Sequence, residues 1–572
     1  MFNFKEKANF IWSVADLLRG DYKQADYGKV ILPLTILRRL DCLLEPTKAD
    51  VLKQWPKVTD KTDEVIDLAL NRITTYKFNN RSNYDFKRLA ADPDHIAANL
   101  RTYISGFSAG VRDILEQFSF DDHVERMDKA DLLYMVVKKF SEIDLADVDG
   151  LTMGYIFEEL IRKFAEISNE TAGEHFTPRE VIELMVNLLF IDEKDIYKKG
   201  VIRTLYDPTA GTGGMLSVAE AYIKNHNPDA ELKVFGQEIN PESYAICKSD
   251  MLIKGQEPSN IKFGDTLRDD QHQAERFNYM LANPPFGVDW KKAEKVVKNE
   301  HEKKGYAGRF GPGLPRINDG SLLFLLHMIS KMHTVDNGGS RIGIVLNGSP
   351  LFTGGAGSGE SEIRKWIIEN DMLEAIVALP DQLFYNTGIS TYIWILTNHK
   401  IAARKGKVQL INATSQAFFE KMTRSLGSKR NEISKTQIIE ITNLYGAFKE
   451  SEYVKILPNE FFGYSRITVE RPELDKKGKP MTDKKGNKKA DAKLRDFENV
   501  PLQDNIDNYF KREVLPHVPD AWIDHTKTKI GYEINFTRYF YKYKPLRALT
   551  DIRKDILALE KETDGLIKEI IK

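Results

Sequence analysis

The feature that most constrains the fold is a glycine-rich turn, Asp207-Pro208-Thr209-Ala210-Gly211-Thr212-Gly213-Gly214. A short apolar run, 201–206, precedes it, and a helical pattern from Met215 to Ile223 follows it. Strand, glycine turn and helix in this order bring backbone amides and a helix N-terminus close to a polar small molecule. Glycine suits such a turn because a Cβ would block the close approach and disfavour positive φ angles. The turn therefore predicts a ligand site at the end of a parallel strand.

Two further apolar runs end in residues that suit the same site. The run Val234-Phe235-Gly236-Gln237-Glu238 ends in a carboxylate, and Asn283-Pro284-Pro285-Phe286 follows the run from Tyr279 to Ala282. The carboxyl ends of parallel strands meet at one edge of a sheet. We therefore expect the three strand ends to line a single cleft.

Strand and helix patterns alternate between residues 201 and 412. Predicted strands cover 203–207, 233–238, 261–264, 278–282, 341–346, 373–379, 390–397 and 407–412. Helical patterns separate most of them, at 215–225, 241–253, 320–333 and 360–370. This alternation predicts an α/β fold with a mostly parallel sheet and helices on both faces. Because the strands at 373–379 and 390–397 leave no room for a helix, we expect them to form an antiparallel hairpin at one edge.

Three domains are predicted. Residues 1–150 form a helical N-terminal domain, since apolar residues recur there at helical spacing. Residues 151–425 form the α/β domain, and residues 426–572 form a C-terminal region. That region ends in an apolar heptad seam of Leu549, Ile552, Ile556, Leu559, Thr563, Leu566 and Ile570. A helix over 546–570 is expected to pack either within the chain or on the helices of another subunit.

Composition excludes several classes of protein. Of the 572 residues, 42% are hydrophobic and 29% charged, as in ordinary globular proteins. Two cysteines cannot build a disulfide framework, and no apolar run reaches the ~18 residues of a membrane span, so we expect a cytoplasmic protein. No metal site is predicted. The net charge of −1 lacks the overall basic footprint of a protein that binds nucleic acid unaided.

Two loops are candidates for the rim of the cleft. The segment from Gly173 to Glu180 is interpreted as a helix start, with Thr177 as N-cap, Pro178 as first helical residue and Glu180 in a capping box. It is either a well-capped helix or a ligand-lining loop, and its position one strand before the glycine turn favours the loop. Residues 287–319 are basic and rich in glycine, and they form either a lid or a solvated charged segment.

The Asn283-Pro284-Pro285-Phe286 turn suits methyl transfer to the exocyclic amine of adenine. That amine is a poor nucleophile because its lone pair is delocalised into the ring, and two acceptors on its N–H bonds would free the pair. The Asn283 side-chain oxygen and the Pro284 carbonyl can be those acceptors, since proline fixes the turn. Phe286 offers a face on which a flipped base can stack.

In combination, these motifs resemble the modification (methyltransferase) subunit of type I restriction-modification systems, a family of adenine-N6 DNA methyltransferases. The resemblance covers nearly the whole chain, and the motif order is similar to the gamma arrangement of amino-methyltransferases. It implies a Rossmann-like domain that uses S-adenosylmethionine to methylate N6 of a flipped adenine in double-stranded DNA, with Asn283, Pro284, Pro285 and Phe286 as the catalytic turn.

The resemblance also implies which residues contact the cofactor. Glu238 would hold the ribose hydroxyls, and Asp265 would lie near the adenine amine of the cofactor. The methionine end would be lined by Glu174, His175, Phe176, Thr177, Pro178, Arg179, Thr209, Ala210 and Gly211. Asp207 and Gly213 complete the cofactor set.

The absence of a long basic recognition domain after the hairpin points to partners. We expect a specificity subunit to read the DNA sequence, and the resemblance implies a restriction subunit and two copies of this chain per specificity subunit. Other readings stay open: methylation of protein glutamine or cytosine N4, or a scaffold subunit that binds the cofactor without catalysis. Cytosine-C5 methylation is excluded because neither Cys42 nor Cys247 follows a proline turn.

Overall fold

The computed structural model describes residues 4–168, 177–385, 387–426, 428–475, 478–482, 486, 488–541 and 547–570. The chain divides into two compact units, Met1–Ile534 and Asn535–Lys572. Three of the residues expected to contact the cofactor, Glu174, His175 and Phe176, lie outside the described residues.

The N-terminal part of the first unit is helical. The apolar side chains of α3 are buried on all sides, and Ile156 and Phe157 of α11 join the same core. Ala245 and Ile246, which belong to a helix of the α/β domain, also lie in that core, so the two regions pack directly on each other. The helices are α1 (Phe4–Trp12), α2 (Val14–Leu17), α3 (Tyr27–Leu44), α4 (Lys48–Gln54), α5 (Asp63–Thr74), α6 (Phe86–Ala90), α7 (Ile96–Ser105), α8 (Ala109–Gln117), α9 (Phe120–Lys129), α10 (Leu133–Ser141) and α11 (Gly150–Ser168).

The centre of the α/β domain is a nine-stranded sheet. Eight of its strands are β1 (Ile202–Asp207), β2 (Glu231–Glu238), β3 (Ile261–Phe263), β4 (Tyr279–Ala282), β5 (Arg341–Asn347), β6 (Leu373–Ala378), β7 (Thr391–Thr397) and β8 (Lys407–Asn412). After a separate hairpin of β9 (Glu420–Leu426) and β10 (Lys429–Glu432), β11 (Val454–Pro458) adds the ninth. The order is β11-β8-β6-β7-β5-β4-β1-β2-β3. The alternation of patterns thus predicted the α/β fold correctly.

The helices of this domain begin and end at local signals. Asn240, for example, precedes a helix whose first residue is Pro241, and its side-chain oxygen accepts a hydrogen bond from Ser243 N at 2.9 Å. The helices are α12 (Arg179–Phe190), α13 (Gly214–His226), α14 (Pro241–Ile253), α15 (Glu294–Lys304), α16 (Ser321–Ser330), α17 (Ser349–Phe352), α18 (Gly359–Glu369) and α19 (Lys435–Ala447).

The β6–β7 hairpin forms as predicted, but its expected position at the edge of the sheet is wrong. β7 also pairs antiparallel with β5, and β6 pairs in parallel with β8, which carries β11 on its outer side. The hairpin is therefore internal. This position agrees with its composition, because side chains such as Ile376 and Trp394 are fully buried.

The rest of the chain holds a small sheet and short helices. β12 (Gly463–Glu470) pairs with β13 (Asp496–Pro501), β14 (Trp522–Ile523) and β15 (Lys529–Tyr532), and α20 (Ile506–Tyr509) follows β13. The second unit contains α21 (Phe536–Phe540) and α22 (Leu549–Ile570). Among the described residues, no helix has the length and apolar character needed to cross a membrane. Cys42 and Cys247 are both buried and unpaired.

Candidate active site

A cavity of about 490 Å³ opens where β1, β2 and β4 end. Asp207, Glu238 and Asn283, which follow or close these three strands, all line it. Of the expected cofactor residues, Thr177, Asp207, Thr209, Ala210, Gly211, Glu238 and Asp265 line the cavity, together with Asn283 and Pro285 of the proline turn. The strand ends identified in the sequence therefore surround one space, as expected from the geometry of parallel sheets.

The glycine turn is held by its own hydrogen bonds. Gly211 and Gly213 have φ angles of 54° and 85°, which favour glycine. Gly213 N donates to Ala210 O at 2.8 Å, and a Cβ on Gly213 would lie 2.9 Å from the Cys247 sulfur. Gly213 does not line the cavity itself. Its contribution is to let α13 start close to α14.

The Glu238 carboxylate is fixed by two backbone amides. Gly211 N donates to Glu238 Oε2 at 2.8 Å, and Asn240 N donates to Glu238 Oε1 at 2.7 Å. Each carboxylate oxygen can accept more than one hydrogen bond, so acceptor capacity remains on the cavity side. The carboxylate of β2 and the glycine turn of β1 are thus a single hydrogen-bonded structure.

Asp207 lies buried at the base of the cavity. Its Oδ1 accepts hydrogen bonds from Thr209 N at 2.9 Å and from Thr209 Oγ1 at 3.3 Å. The pKa of Asp207 is raised to about 7, mainly by burial; the Thr209 hydrogen bonds oppose the shift, and the nearby Glu238 carboxylate contributes to it. A positive charge in the cavity would stabilise the ionised form of this group.

Asn283 donates one hydrogen bond through its side-chain nitrogen, and its side-chain oxygen is an unused acceptor among the described residues. Its Nδ2 donates to the Thr177 hydroxyl at 2.9 Å. Its side-chain oxygen is buried, and none of the described residues donates a hydrogen bond to it. A buried acceptor without a donor is costly in a folded protein, and such atoms need an explanation. A ligand with an N–H group facing this oxygen would remove the cost.

The predicted capping box at Thr177 does not form. α12 begins at Arg179, with Pro178 at the N-cap position and without a side-chain cap. The Thr177 hydroxyl contacts Asn283 instead, and Glu180 forms an ion pair with Lys429. Both side chains are therefore used in tertiary contacts that a local sequence motif does not reveal. The alternative reading of the segment, as part of the cavity wall, agrees with the position of Thr177.

The other residues of the proline turn have different environments. Pro284 is buried, and Pro285 lines the cavity. Phe286 is half-buried and does not line the cavity; its ring lies 5.7 Å from that of Phe384 in an edge-to-face arrangement. The turn thus presents Asn283 and Pro285 to the cavity, while Phe286 packs against the core beside Phe384.

Glu158 of α11 is a cavity residue that the sequence analysis missed. Its Oε2 accepts a hydrogen bond from Arg179 Nε at 2.6 Å, and the Arg179 guanidinium lies 3.2 Å from the centre of the Tyr155 ring. Burial raises the pKa of Glu158, and the Arg179 charge opposes that shift. Arg179 does not line the cavity but holds Glu158 there. An isolated glutamate within a helical pattern gives no signal of this role.

The basic segment 287–319 covers one side of the cavity. Val288, Trp290 and Lys292 line it, and α15 lies within the segment. The segment is anchored by Arg309, which donates to Thr266 O at 2.8 Å and Leu267 O at 3.0 Å. Of the two readings of this segment, a cover over the site agrees with the structure. Its helix was not predicted.

A glycine turn, a fixed carboxylate on the next strand and a mostly parallel sheet fit the class of S-adenosylmethionine-dependent methyltransferases. Comparison with known families gives two matches. Residues 149–467 match the N-6 DNA methylase family, and residues 7–140 match the HsdM N-terminal domain. The chain belongs to the N-6 DNA methylase family.

Relatives and solved structures agree with this assignment. The chain is 27% identical over 462 residues to the type I restriction enzyme MjaIX methylase subunit of Methanocaldococcus jannaschii, covering 78% of each chain. It is 32% identical to the HindI methylase subunit of Haemophilus influenzae, over 46% of this chain and 54% of that one. The fold resembles a type I methyltransferase subunit from Streptococcus thermophilus, with a TM-score of 0.64, 23% identity and coverage of 80% and 97% of the two chains.

The family gives the reaction. The protein is an adenine-N6 DNA methyltransferase that uses S-adenosylmethionine, and it is the modification subunit of a type I restriction-modification system. The expectation drawn from the sequence motifs is confirmed. The scaffold reading and the other methyl acceptors are not favoured.

Proposed function

We propose that the Asn283-Pro284-Pro285-Phe286 turn activates the target adenine. The observation that carries this proposal is the buried side-chain oxygen of Asn283, to which no residue in the described part of the chain donates. The amine of adenine has two N–H donors, and one of them can fill this acceptor. The carbonyl of Pro284 is the second acceptor, and the half-buried Phe286 stacks on the flipped base.

Each group has a defined part in the reaction. S-adenosylmethionine supplies an electrophilic methyl group when it is bound. The two acceptors hold both amine protons and direct the nitrogen lone pair towards the cavity. Thr177 keeps the Asn283 amide in the orientation that presents oxygen to the base, because its hydroxyl accepts from Nδ2. The surplus proton on the methylated nitrogen passes to water.

The cavity suits the cofactor in size and charge. Asp207, Glu238 and Glu158 are acidic and line the cavity, whereas the cofactor carries positive charge on its sulfonium and ammonium groups. We assign the ribose hydroxyls to Glu238 and the methionine end to Thr177 and the 207–211 turn. We assign the ammonium group to Glu158 because this carboxylate lies beside the start of α13. A Cβ added to Gly214, the first residue of α13, would lie 3.8 Å from Glu158 Oε1. Asp265 contacts the adenine of the cofactor.

The Glu158 assignment can be tested with two ligands. S-adenosylhomocysteine has the ammonium group and 5′-methylthioadenosine lacks it. Glu158→Gln should weaken binding of the first ligand by about 10-fold, as for loss of a charge-assisted hydrogen bond, and leave the second unchanged. Equal losses for both ligands would show that Glu158 only supports the local structure.

The catalytic assignment is tested by Asn283→Ala. This variant should bind S-adenosylmethionine with the affinity of the native chain, measured by calorimetry, and should lose methyl transfer by ~100-fold or more, as for other well-placed polar groups in active sites. Asn370→Ala, at the exposed end of α18, is the matched control and should be active. Retained transfer by Asn283→Ala in the assembled enzyme would refute the assignment.

We also propose that a specificity subunit directs the enzyme to its DNA sequence and that two copies of this chain bind each specificity subunit, alongside a restriction subunit. A near-neutral chain provides few of the phosphate contacts that dominate DNA affinity, so a partner must supply them. The docking element is the helix α22, which carries the exposed apolar residues Leu549 and Ile556. Such a helix gains most of its stability from packing on a partner.

Deletion and point substitution separate docking from internal packing. A chain lacking residues 546–572 should fold and bind S-adenosylmethionine but should not co-purify with the specificity subunit or methylate DNA. Ile556→Asp should show the same loss, whereas Leu557→Asp, which is equally exposed but lies off the seam, should assemble normally. Normal assembly by both the deletion and Ile556→Asp would place the docking surface elsewhere.

A further inference from the structure

A second cavity, of about 440 Å³, lies between the turn that follows α17 and the outer face of the small sheet. One wall contains Phe352, Gly354 and Gly355, and the other contains Arg466 of β12 and Phe497 of β13. A Cβ on Gly355 would lie 3.0 Å from Arg466 Nη1, so glycine allows this close approach. The cavity shares no lining residue with the cofactor cavity.

This cavity opens at the catalytic edge of the sheet. β4 and β5 are parallel neighbours, with Ala282 paired to Ile344. The catalytic turn follows β4, and α17 with its glycine turn follows β5. The two turns therefore leave the sheet side by side at the edge where ligands bind in open α/β sheets.

The register of the small sheet places three side chains in the second cavity. Arg466 pairs with Asn499, and Thr468 pairs with Phe497, so Arg466, Asn499 and Phe497 share one face. The opposite face buries apolar residues in a separate core. The cavity face is not an ordinary polar surface, because Phe497 is 46% exposed and Phe352 is 56% exposed.

Arg466 contacts an aromatic ring and forms no ion pair with any of the residues that the structure describes. Its guanidinium lies 4.2 Å from the centre of the Phe497 ring. Within the described ranges, no carboxylate or carbonyl pairs with it. Arginine and aromatic rings together form the type of surface on which unpaired bases stack, and the guanidinium also donates hydrogen bonds to a base edge.

We propose that this cavity binds an unpaired nucleobase of the DNA substrate. The inference rests on the proposed flipping of the target adenine, which leaves its partner base unpaired beside the catalytic turn. Phe497 and Phe352 provide the stacking surface, and Arg466 and Asn499 bind the polar edge of the base. A base fits this cavity better than a phosphate alone, since Glu533 also lines the wall and would repel an anion.

The test uses the full chain assembled with its partner subunits and a set of duplexes. One duplex is intact, and each of the others lacks one base in the strand opposite the target adenine. Phe497→Ala should weaken binding to the intact duplex by about 10-fold, as for loss of one base–aromatic stack. At one position in the opposite strand, removal of the base should weaken DNA binding by the native complex by the same factor as Phe497→Ala does. Removal of that base should not weaken DNA binding by the Phe497→Ala complex any further.

Controls make the outcome decisive. Ile530→Ala removes a side chain of the same small sheet that is 41% exposed and does not line the cavity, and it should bind all duplexes like the native complex. Unchanged affinity of Phe497→Ala for the intact duplex overturns the inference. A loss that persists with every duplex also overturns it, because the contact is then with the phosphate backbone. Methyl transfer by the native complex is measured in parallel: its absence contradicts the proposed function, whereas normal transfer without a base-dependent loss contradicts only this inference.

Discussion

The glycine turn after β1 and the proline turn after β4 lie at the same edge of the sheet, yet they satisfy their polar atoms differently. In the glycine turn, Gly211 N donates to Glu238 and Asp207 accepts from Thr209. In the proline turn, the side-chain oxygen of Asn283 is buried, and no described donor reaches it. The glycine turn is held by hydrogen bonds within the protein, whereas the proline turn contains a buried acceptor that is open to the N–H group of a ligand.

We attribute the difference to the two tasks proposed for these turns. A cofactor that stays bound through many encounters with DNA needs a preformed site, and fixed backbone amides provide it. A base that enters only when it is flipped needs an acceptor that is oriented but not already occupied. The comparison predicts that damage to the glycine turn removes cofactor binding, while damage around Asn283 removes catalysis alone.

Gly211→Val should have the largest effect. Valine at a φ of 54° is strained by ~1–2 kcal/mol, and Gly211 lines the cavity in which we propose that the cofactor approaches the backbone. We expect the cofactor Kd, measured by calorimetry, to rise on the order of 100-fold. Gly200→Val is the matched control, because Gly200 has a φ of 68° with open space around it and lies outside the cavity. Equal losses in both variants would mean that backbone strain alone is responsible.

The pH dependence of cofactor binding should show a smaller effect. Asp207 has a pKa of about 7 in the free protein because it is buried, and the positively charged cofactor prefers its ionised form. Affinity should therefore fall about 10-fold between pH 8 and pH 6, and Asp207→Asn should remove this dependence. Because the pKa of Asp207 is raised only in the folded chain, the unfolded chain ionises this carboxyl at a lower pH. The free energy of unfolding of the cofactor-free chain should therefore fall as the pH rises from about 4 to 7. A pH profile that is unchanged in Asp207→Asn would contradict this prediction.

Thr177→Val should have the smallest effect, and that effect should fall mainly on catalysis. The substitution removes the acceptor for Asn283 Nδ2 and leaves the amide free to turn its oxygen away from the base. A lost hydrogen bond of ordinary strength should lower kcat by about 5-fold. Thr177→Ser keeps the hydroxyl and should retain activity. A loss of cofactor affinity as large as the loss of kcat would mean that the contact of Thr177 with the methionine end, and not its contact with Asn283, dominates.

The sequence predicted the elements that depend on local patterns. The strand expected at 407–412 is β8, with the same bounds, and the strand expected at 203–207 differs from β1 by one residue. The residues at the ends of β1, β2 and β4 met around one cavity, because parallel topology brings strand ends together. Local pattern was sufficient for this part of the site.

The features that were missed or predicted wrongly depend on contacts between distant segments. β8 pairs in parallel with β6 and so turns the expected edge hairpin into an internal pair, and the local sequence of neither strand reveals its partner. Thr177 and Glu180 have the residue types of a capping box, but tertiary partners compete successfully for both side chains. Glu158 joins the cavity because α11 packs beside α12 and α13, which no local pattern shows.

The most direct test of the account is a double-mutant cycle in which one change removes the Asn283 side chain and the other removes the amine of the target base. The assembled enzyme is titrated, in the presence of S-adenosylhomocysteine, with DNA that carries either adenine or purine, which lacks the amine, at the target position. The native enzyme should prefer adenine by about 5-fold or more, since one or two hydrogen bonds to buried acceptors depend on the amine. In Asn283→Ala this preference should shrink to that provided by the Pro284 carbonyl alone. An unchanged preference in Asn283→Ala would contradict the claim that the side-chain oxygen binds the amine of adenine.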